Sequence, residues 1–269
     1  MKLKKILATV LATVAAFATF GFTACNQKDK KETLIVYTEA GFAPWEYTKA
    51  GSTEVVGVDM EIAKYIADKY DWELQVINGS FDTIVAGIEE DNALGIAGIS
   101  YSAERAEKIE FSDFYWGSAY QAVVYKTDSN PVLTEEKFAV SNFEDAKLVF
   151  QTGTTSHITV NDNKDAWKIS SSNSFSQVMA ALEDMKTSTT KEYLIVDSQV
   201  AAQLVASDNT ISYAAIEGLE AEQYGIVAKK GNTALIEKVN AALAELLKKD
   251  ADGKDQIEKW FVEHSAQAE

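Results

Sequence analysis

The sequence predicts an α/β protein whose sheets are mostly parallel. From residue 33 onward, short runs of aliphatic and β-branched residues alternate with amphipathic stretches of helical spacing, an order typical of repeated strand–helix–strand units. This alternation occurs twice along the chain. A polar segment at 126–142, which contains one of the two prolines, separates the two series. We therefore expect two lobes of similar architecture.

The first series predicts the order strand, helix, strand, helix, strand. Short, mainly apolar runs predict strands at 34–37, 74–77 and 94–99. Between them, apolar residues recur at helical spacing, at Val58, Ile62, Tyr65 and Ile66 and again at Phe81, Ile84, Val85 and Ile88. Because parallel strands need crossover connections of this kind, we expect a mostly parallel sheet, followed by a further strand at 122–125.

The second series repeats this order after the polar segment. Strands are predicted at 148–150 and 194–196, with a helix at 175–185 between them. A strand at 225–228 and two amphipathic helices, over 235–247 and 257–261, complete the chain. Their apolar stripes are interpreted as core and carry no chemistry.

Composition excludes several classes of function. The chain has 269 residues, 46% of them hydrophobic, which is enough to bury a sizeable core. It carries 41 Asp and Glu against 25 Lys and Arg, so its charge of -16 would repel nucleic acid, which is not expected as a partner. Two His and one Cys are too few for a structural zinc site or an internal disulfide. We expect no metal and no cofactor, and any chemistry must rely on carboxylates, hydroxyls and Arg.

The N-terminus has the pattern of an export signal. Three lysines within 1–5 precede an uncharged, apolar run at 6–20, which is too short for a comfortable transmembrane helix. The run ends in Phe22-Thr23-Ala24-Cys25, which resembles a bacterial lipobox, although Phe22 stands where Leu is usual. That resemblance implies cleavage before Cys25 and its lipidation with palmitate, so 1–24 is the expected signal peptide and 25–32 a polar tether. The alternative is an ordinary signal peptide with a coincidental Cys.

Several segments, correctly ordered from residue 33 to 263, resemble the polar amino-acid-binding subfamily (family 3) of bacterial ABC-transporter extracellular solute-binding proteins. The segments are 38–47 (TEAGFAPWEY), 56–60 (VGVDM), 98–105 (GISYSAER), 111–115 (FSDFY), 152–155 (TGTT) and 223–226 (QYGI). The resemblance implies a two-lobe periplasmic-binding-protein-like fold of type II, with two hinge strands.

The hinges are expected near Val124 to Thr127 and Ser212 to Ile216. The first lobe would then comprise 33–124 and 216–269, and the second lobe 125–215. The chain would leave the first lobe, build the second and return.

The chemistry of an amino-acid site can also be argued from the residues. An α-amino acid offers a carboxylate and an ammonium group, so its site needs a bidentate cation, an anion and acceptor atoms in a cleft that excludes water. Arg105 fits the first role and Asp197, at the tip of an apolar strand, the second. Gly98 and Ser100 follow a strand, where open α/β sheets bind ligands. The loop 152–155 precedes a helix expected near residue 156, whose first N–H groups can bind an anion.

The resemblance assigns roles to these positions. Arg105 would clamp the ligand carboxylate, Gly98 and Ser100 would contribute a carbonyl and a hydroxyl, and Asp197 would receive the ammonium group. Thr154 and Thr155 would belong to the carboxylate-binding loop. The alternatives are a surface Arg at a helix start for Arg105 and a solvated loop Asp for Asp197.

For the ligand side chain, the resemblance implies aromatic stacking by Phe42 and Phe81 and a polar contact by Glu39. Phe81 has a serious alternative as a core residue, because its i+3 and i+4 neighbours are apolar. The alternative for Glu39 is a solvated residue at the end of a strand. Gln151 and Val196 stand at positions that vary with ligand choice.

The expected function is a monomeric receptor, lipid-anchored outside the cell membrane or in the periplasm, that closes on an amino acid and delivers it to an ABC permease. The expected ligand is Arg, Lys, His, Gln or cystine, and no catalysis is implied. One alternative is a dehydratase-like enzyme using Glu39 or Asp197, although His157 and His264 lack a recognisable base motif. The other is a sensor input module, and the sequence shows no signalling segment after the last predicted helix.

Overall fold

The structure is a computed structural model that describes residues 31–267. In chain order, the strands are β1 (Thr33–Thr38), β2 (Tyr47–Thr48), β3 (Val55–Val56), β4 (Glu73–Asn78), β5 (Ala93–Gly95), β6 (Ile109–Ala119), β7 (Gln121–Lys126), β8 (Leu133–Thr134), β9 (Lys137–Phe138), β10 (Lys147–Gln151), β11 (Ser171–Phe175), β12 (Glu192–Asp197), β13 (Ile211–Ala215) and β14 (Glu222–Lys229). The α-helices are α1 (Val58–Lys69), α2 (Phe81–Ala86), α3 (Ala103–Lys108), α4 (Thr155–Asn163), α5 (Val178–Thr187), α6 (Ser198–Ser207), α7 (Thr233–Leu246) and α8 (Gln256–Gln267).

The first lobe is built on a five-stranded sheet of order β4-β1-β5-β14-β6. β1 pairs in parallel with β4 and β5, as predicted, whereas β14 runs antiparallel to β5 and β6. Successive side chains of a strand point to opposite faces. Accordingly Leu34 and Val36 pack on the side of α1 and α7, whereas Ile35 and Tyr37 pack on the side of α2. The sheet is therefore covered on both faces.

The second lobe repeats this plan with a sheet of order β11-β10-β12-β7-β13. β10 lies parallel to β11 and β12, and β7 is antiparallel to β12 and β13. Val149 faces the core beneath α5 and α6, whereas Leu148 and Phe150 face the other side, where Val160 of α4 packs. The mixed α/β architecture with two sheet-containing lobes is confirmed.

The chain crosses between the sheets at Tyr120 and again over 216–221. The expected boundary at residue 124 falls inside β7, which lies wholly in the second sheet, and the expected hinge at 212–216 covers most of β13. The change to polar residues after Tyr125 marks where β7 ends and not where the lobes meet. A crossing between two sheet strands leaves no shift in composition, so the sequence offers no signal for it.

Other local differences have similar causes. The helix predicted at 175–185 begins only at Val178, because Phe175 ends the polar edge strand β11. The strand predicted at 94–99 ends at Gly95, and the chain beyond it turns toward the space between the lobes. Within residues 31–267, no helix combines the length and the apolar character needed to span a membrane. The predicted signal peptide and Cys25 lie outside the described residues.

Candidate functional site

A cavity lies between the two lobes. All nine residues predicted as ligand contacts line it: Glu39, Phe42, Phe81, Gly98, Ser100, Arg105, Thr154, Thr155 and Asp197. They come together because β1, β5, β10 and β12 end at this place, as expected for open α/β sheets. That these residues bind a ligand remains a prediction.

Arg105 is the one cation among the residues that line the cavity. It lies in α3, whose N-cap Ser102 accepts a hydrogen bond from the Arg105 backbone N–H. The guanidinium donates to the carbonyl oxygen of Ser100 at 2.6 Å and, across the cleft, to that of Gly153 at 2.7 Å. Its Nε has no hydrogen-bond partner within residues 31–267. Arg105 is 4% exposed, so it is not a surface arginine.

Burial lowers the pKa of Arg105 to about 10, and the charge of Glu222 acts in the opposite direction. The guanidinium therefore stays charged at neutral pH. Its centre also lies 5.4 Å from the ring centroid of Phe81. The cation is thus fixed between backbone carbonyls and an aromatic ring, with N–H donors left for a bound anion.

Asp197 ends β12 and caps α6, where it accepts a hydrogen bond from the Gln199 N–H at 2.7 Å. Tyr224 donates its hydroxyl to the other carboxylate oxygen at 2.5 Å. Burial raises the pKa of Asp197 to about 7, although both hydrogen bonds favour the ionised form. Asp197 is therefore a buried carboxylate, and the alternative of a solvated loop residue is excluded.

The loop before α4 belongs to the second lobe and contacts the first lobe. Thr154 caps the helix by accepting from the His157 N–H, and it donates its own hydroxyl to the Gln151 carbonyl. The helix starts at Thr155, close to the predicted start. Gly153 has φ +80°, and a Cβ there would come within 2.9 Å of the Asp82 Cβ in α2. The absence of a side chain at Gly153 lets the second lobe approach the first this closely.

Gly98 has the same role within the first lobe. Its φ is +50°, and a Cβ there would lie 2.6 Å from the Phe42 ring. The Gly98 N–H donates to the buried carboxylate of Asp59 at 2.8 Å. The positive φ favours glycine, and the closeness of the ring excludes a Cβ. Glycine therefore lets the Phe42 ring pack directly against the backbone at the cavity wall.

Glu39 is buried at 6% exposure, so it is not the solvated strand-end residue of the alternative interpretation. Its carboxylate accepts from the Gln151 Nε2 at 2.9 and 2.8 Å and from the Gln177 Nε2 at 2.9 Å. Both glutamines belong to the second lobe. Burial raises the pKa of Glu39 to about 6, against the effect of the two amide donors. The carboxylate therefore titrates close to neutrality.

The two phenylalanines differ in their surroundings. Phe81 is 7% exposed and packs in the core of the first lobe beside Ile84, so it is a core residue, as the alternative interpretation expected. It nevertheless lines the cavity. Phe42 is half-buried and contacts the cores of both lobes. The Phe81 ring can therefore contact a ligand although it also packs in the core, and the Phe42 ring contacts both lobes.

Two further buried carboxyl groups belong to this region: Glu46 lines the cavity, and Asp59 lies behind Gly98. Glu46 and Asp59 are 1% and 0% exposed, and Asp59 accepts from the Tyr115 hydroxyl at 2.9 Å. Burial, reinforced by the charge of Asp59, raises the pKa of Glu46 well above its usual range. Burial also raises the pKa of Asp59 to about 6. The neutral form of Glu46 is therefore favoured by its surroundings.

Sequence reasoning missed three polar residues at the cleft. Gln121 lines the cavity, and it donates to the Thr155 hydroxyl at 2.9 Å and to Glu222 at 2.8 Å. Gln177 supports Glu39 from the start of α5. The available signals were weak: Gln121 opens an apolar strand, and Glu222 stands directly before the segment QYGI.

The arrangement suits binding more than metal chemistry. Within residues 31–267, no group of His, Cys, Asp and Glu side chains is placed to hold a metal ion. One buried cation, three buried carboxyl groups, aromatic rings and short hydroxyl side chains surround a small space instead. Such a set complements a small molecule that carries both charges.

Comparison with known proteins identifies the family of the chain. The model of the bacterial extracellular solute-binding proteins, family 3, matches residues 34–263. The arginine-binding extracellular protein ArtP of Bacillus subtilis is 32% identical over 126 residues, which are 45% of this chain and 48% of ArtP. The L-cystine-binding protein TcyJ of Escherichia coli is 24% identical over 250 residues, 93% of this chain and 89% of TcyJ.

Solved structures agree in fold. The amino acid ABC transporter substrate-binding protein AbpA of Streptococcus pneumoniae, bound to L-arginine, superposes with a TM-score of 0.76 and 25% identity, covering 90% of this chain and 97% of AbpA. The ancestral amino acid-binding protein AncCDT-1, a precursor of cyclohexadienyl dehydratase, gives a TM-score of 0.70 and 26% identity, covering 85% and 95%. The family model matches most of this chain, and the structure has two lobes around a buried site. The chain therefore belongs to the bacterial extracellular solute-binding proteins, family 3.

Proposed function

We propose that the chain is an exported receptor that captures a polar or basic L-amino acid between its lobes and delivers it to an ABC permease. The observation that carries this proposal is one buried cation, Arg105, and two buried carboxylates, Glu39 and Asp197, around the same interlobe cavity. Family membership and relatives named for arginine and cystine binding support the class of ligand.

The α-carboxylate and α-ammonium groups find their partners at one part of the site. Arg105 offers N–H donors to the carboxylate, and the loop before α4 adds backbone N–H groups at a helix start. Asp197 offers a carboxylate to the ammonium group. A buried carboxylate whose pKa is raised gains from a cationic partner, because the partner favours its ionised form.

The net charge of the lining favours a cationic side chain. At a pH above 7, Arg105 contributes +1 and Glu39 and Asp197 contribute -1 each, so these three side chains sum to -1, while burial favours the neutral form of Glu46. A ligand of net charge +1 balances this sum, whereas glutamate or aspartate adds a buried negative charge. Glu39, with the rings of Phe42 and Phe81, supplies the contacts for a flat or cationic group.

Arginine is therefore the first candidate. Lysine shares its charge, and histidine carries that charge when its ring is protonated. Glutamine offers a neutral amide donor to Glu39, and cystine offers a second ammonium group without a net charge. A thermal-shift screen of the twenty amino acids and cystine tests the proposal, because a ligand at 100 times its Kd adds about 2.7 kcal/mol of stability. We expect arginine to raise the melting temperature and glutamate to leave it unchanged. If no amino acid stabilises the protein, the proposal is wrong.

The proposal includes a lipid anchor at Cys25 on the outer face of the cell membrane, a monomeric state and delivery to permease subunits. The anchor is inferred from residues 1–25 of the sequence. One acyl chain binds membranes only marginally, so stable anchoring requires more than one. A Cys25→Ser variant is expected to leave the membrane fraction, and unchanged membrane association would contradict the anchor without affecting the amino-acid site.

The alternative is an enzyme on the same scaffold, and the similarity to AncCDT-1 is the reason to consider it. Asp197, with a pKa of about 7, would be the group to move a proton. Its carboxylate oxygens, however, are already engaged by Tyr224 and Gln199. We expect no product when the protein is incubated with cyclohexadienyl acids, and turnover of such an acid would favour the enzyme.

A further inference from the structure

Glu222 lies at the junction of the two lobes. It is the first residue of β14, where the chain re-enters the first lobe after the second crossing. It pairs with Ala119, the last residue of β6, which immediately precedes the first crossing at Tyr120. Glu222 is thus placed between the two connections about which the lobes must rotate.

The carboxylate of Glu222 accepts hydrogen bonds from both lobes. Within the first lobe, Ser100 donates its hydroxyl to Oε2. From the second lobe, Thr155 donates its hydroxyl to the same oxygen at 2.9 Å, and Gln121 donates its Nε2 to Oε1 at 2.8 Å. Gln121 is held in turn by Ser156, which donates to its Oε1 at 2.6 Å. One side chain therefore joins the lobes through a polar network.

These bonds also decide what the two hydroxyls offer to a ligand. A hydroxyl group has one proton and two lone pairs. Because the protons of Ser100 and Thr155 point to Glu222, only acceptor lone pairs remain for the cavity that they line. One lone pair of Thr155 already accepts from the Gln121 Nε2 at 2.9 Å, which leaves the other for a ligand. Glu222 itself is absent from the cavity wall, so it acts through the residues that form the wall.

We propose that Glu222 is a positioning residue that holds the lobes closed beside the hinge and fixes the Ser100 and Thr155 hydroxyls as acceptors toward the ligand's ammonium group. The closing role stands on the contacts alone. The second role rests on the proposed function, because it requires an amino-acid ligand.

Closing contacts made only in the closed form slow ligand release more than they change ligand capture. Hydrogen bonds to a charged group are stronger than those between neutral groups, but Glu222 is only partly buried, so loss of its carboxylate should accelerate release by about 10-fold. The same loss should increase the open population of the protein without ligand.

The test compares Glu222→Ala with Glu220→Ala, which removes the same charge from an exposed position two residues earlier. Small-angle scattering without added amino acid measures the radius of gyration. Stopped-flow mixing with L-arginine, or with the amino acid that gives the largest thermal shift, measures association and dissociation rates separately.

Glu222→Ala is expected to show a larger radius of gyration, faster dissociation, or both, with an association rate within about threefold of the control. A further variant, Glu222→Gln, keeps one acceptor oxygen and should recover part of the loss. If Glu222→Ala matches Glu220→Ala in radius and in dissociation rate, the inference is overturned. If no amino acid binds, the proposed function fails, and the scattering comparison alone decides whether Glu222 closes the lobes.

Discussion

At the residue scale, the site depends on carboxylates that the fold removes from water. Glu39 and Asp197 are each at most 8% exposed, and their hydrogen bonds only partly offset the cost of burial. Their raised pKa values follow from that imbalance. A cationic ligand would supply the missing stabilisation, which links the protonation of the site to its occupancy.

Glu39→Gln tests the side-chain contact. The variant keeps the size of the group and removes the charge that a basic ligand would meet, so the Kd for L-arginine should rise by at least about 30-fold, which corresponds to about 2 kcal/mol. The Kd for L-glutamine should change by less than about threefold. Calorimetric titration measures both, with the exposed Glu54→Gln as the control. Equal arginine binding by Glu39→Gln and the control would show that Glu39 does not contact the ligand.

The raised pKa values also predict an unusual dependence of stability on pH. Burial raises the pKa of Glu39 and Asp59 to about 6 and that of Asp197 to about 7, so the folded protein binds more protons than the unfolded chain between pH 4 and 7. The stability contributed by these groups is therefore greatest below pH 4 and decreases as the pH rises through 6 to 7. Lysine partners lower the pKa of Asp208 and Asp250 to about 2. These two groups contribute stability above pH 4, and that contribution is lost as the pH falls from 4 to 2.

Calorimetric melting without ligand should therefore give a lower melting temperature at pH 8 than at pH 5.5, by at least about 3 °C. Saturating L-arginine should reduce this difference, because a cation favours the ionised carboxylates. A melting temperature that rises between pH 5.5 and pH 8 in the absence of ligand would contradict the assignment of these buried groups.

At the element scale, the sequence is informative where an element has one periodic apolar pattern. Helix α7 and strands β1 and β12 follow their predictions within a few residues, because each buries a continuous run or stripe. Strand β11 was missed because its sequence, SSNSF, is polar and lies at a sheet edge. Eight of the nine predicted site residues lie at or after strand ends or in the first turn of a helix, and Phe42 lies in the loop between β1 and β2. The resemblance to the family, and not local pattern alone, identified Glu39, Phe42 and Phe81. Gln177 and Glu222 act through contacts between lobes, and no local pattern reveals such contacts.

The turn after β5 offers a test at this scale. Gly98→Ala places a Cβ in a left-handed conformation and 2.6 Å from the Phe42 ring, so the ring must move from the cavity wall. Gly218→Ala is the matched control, because Gly218 has φ +79° and nothing within 4 Å of an added Cβ. Both variants should lose about 1 kcal/mol of stability from backbone strain. Only Gly98→Ala should also weaken arginine binding, by at least about fivefold, and equal affinities in the two variants would refute the role of this turn.

At the scale of the whole molecule, function depends on how two similar lobes meet. Arg105 belongs to the first lobe, whereas Asp197 and Thr155 belong to the second, so one small zwitterion would have to contact both. Direct bonds already cross the cleft, from Arg105 to Gly153 and from Gln151 to Glu39. A ligand with contacts in both lobes favours the closed arrangement over any open one.

Scattering should therefore show compaction when a ligand confirmed by thermal shift is added. The expected result is a smaller radius of gyration at saturation than in buffer. Arg105→Ala removes a cross-lobe contact and the carboxylate partner together, so it should show less compaction at the same ligand concentration. An unchanged radius in the native protein, despite saturated binding, would contradict closure.

The most direct test of the central claim is calorimetric titration of the native protein with L-arginine, L-glutamine, L-cystine and L-glutamate at pH 7.5. The site combines one buried cation with two buried carboxylates, so its charge should select a ligand of net charge +1. The predicted result is tighter binding of arginine than of glutamine or cystine, with no measurable binding of glutamate. Tight binding of glutamate, with no binding of arginine or glutamine, would contradict the account.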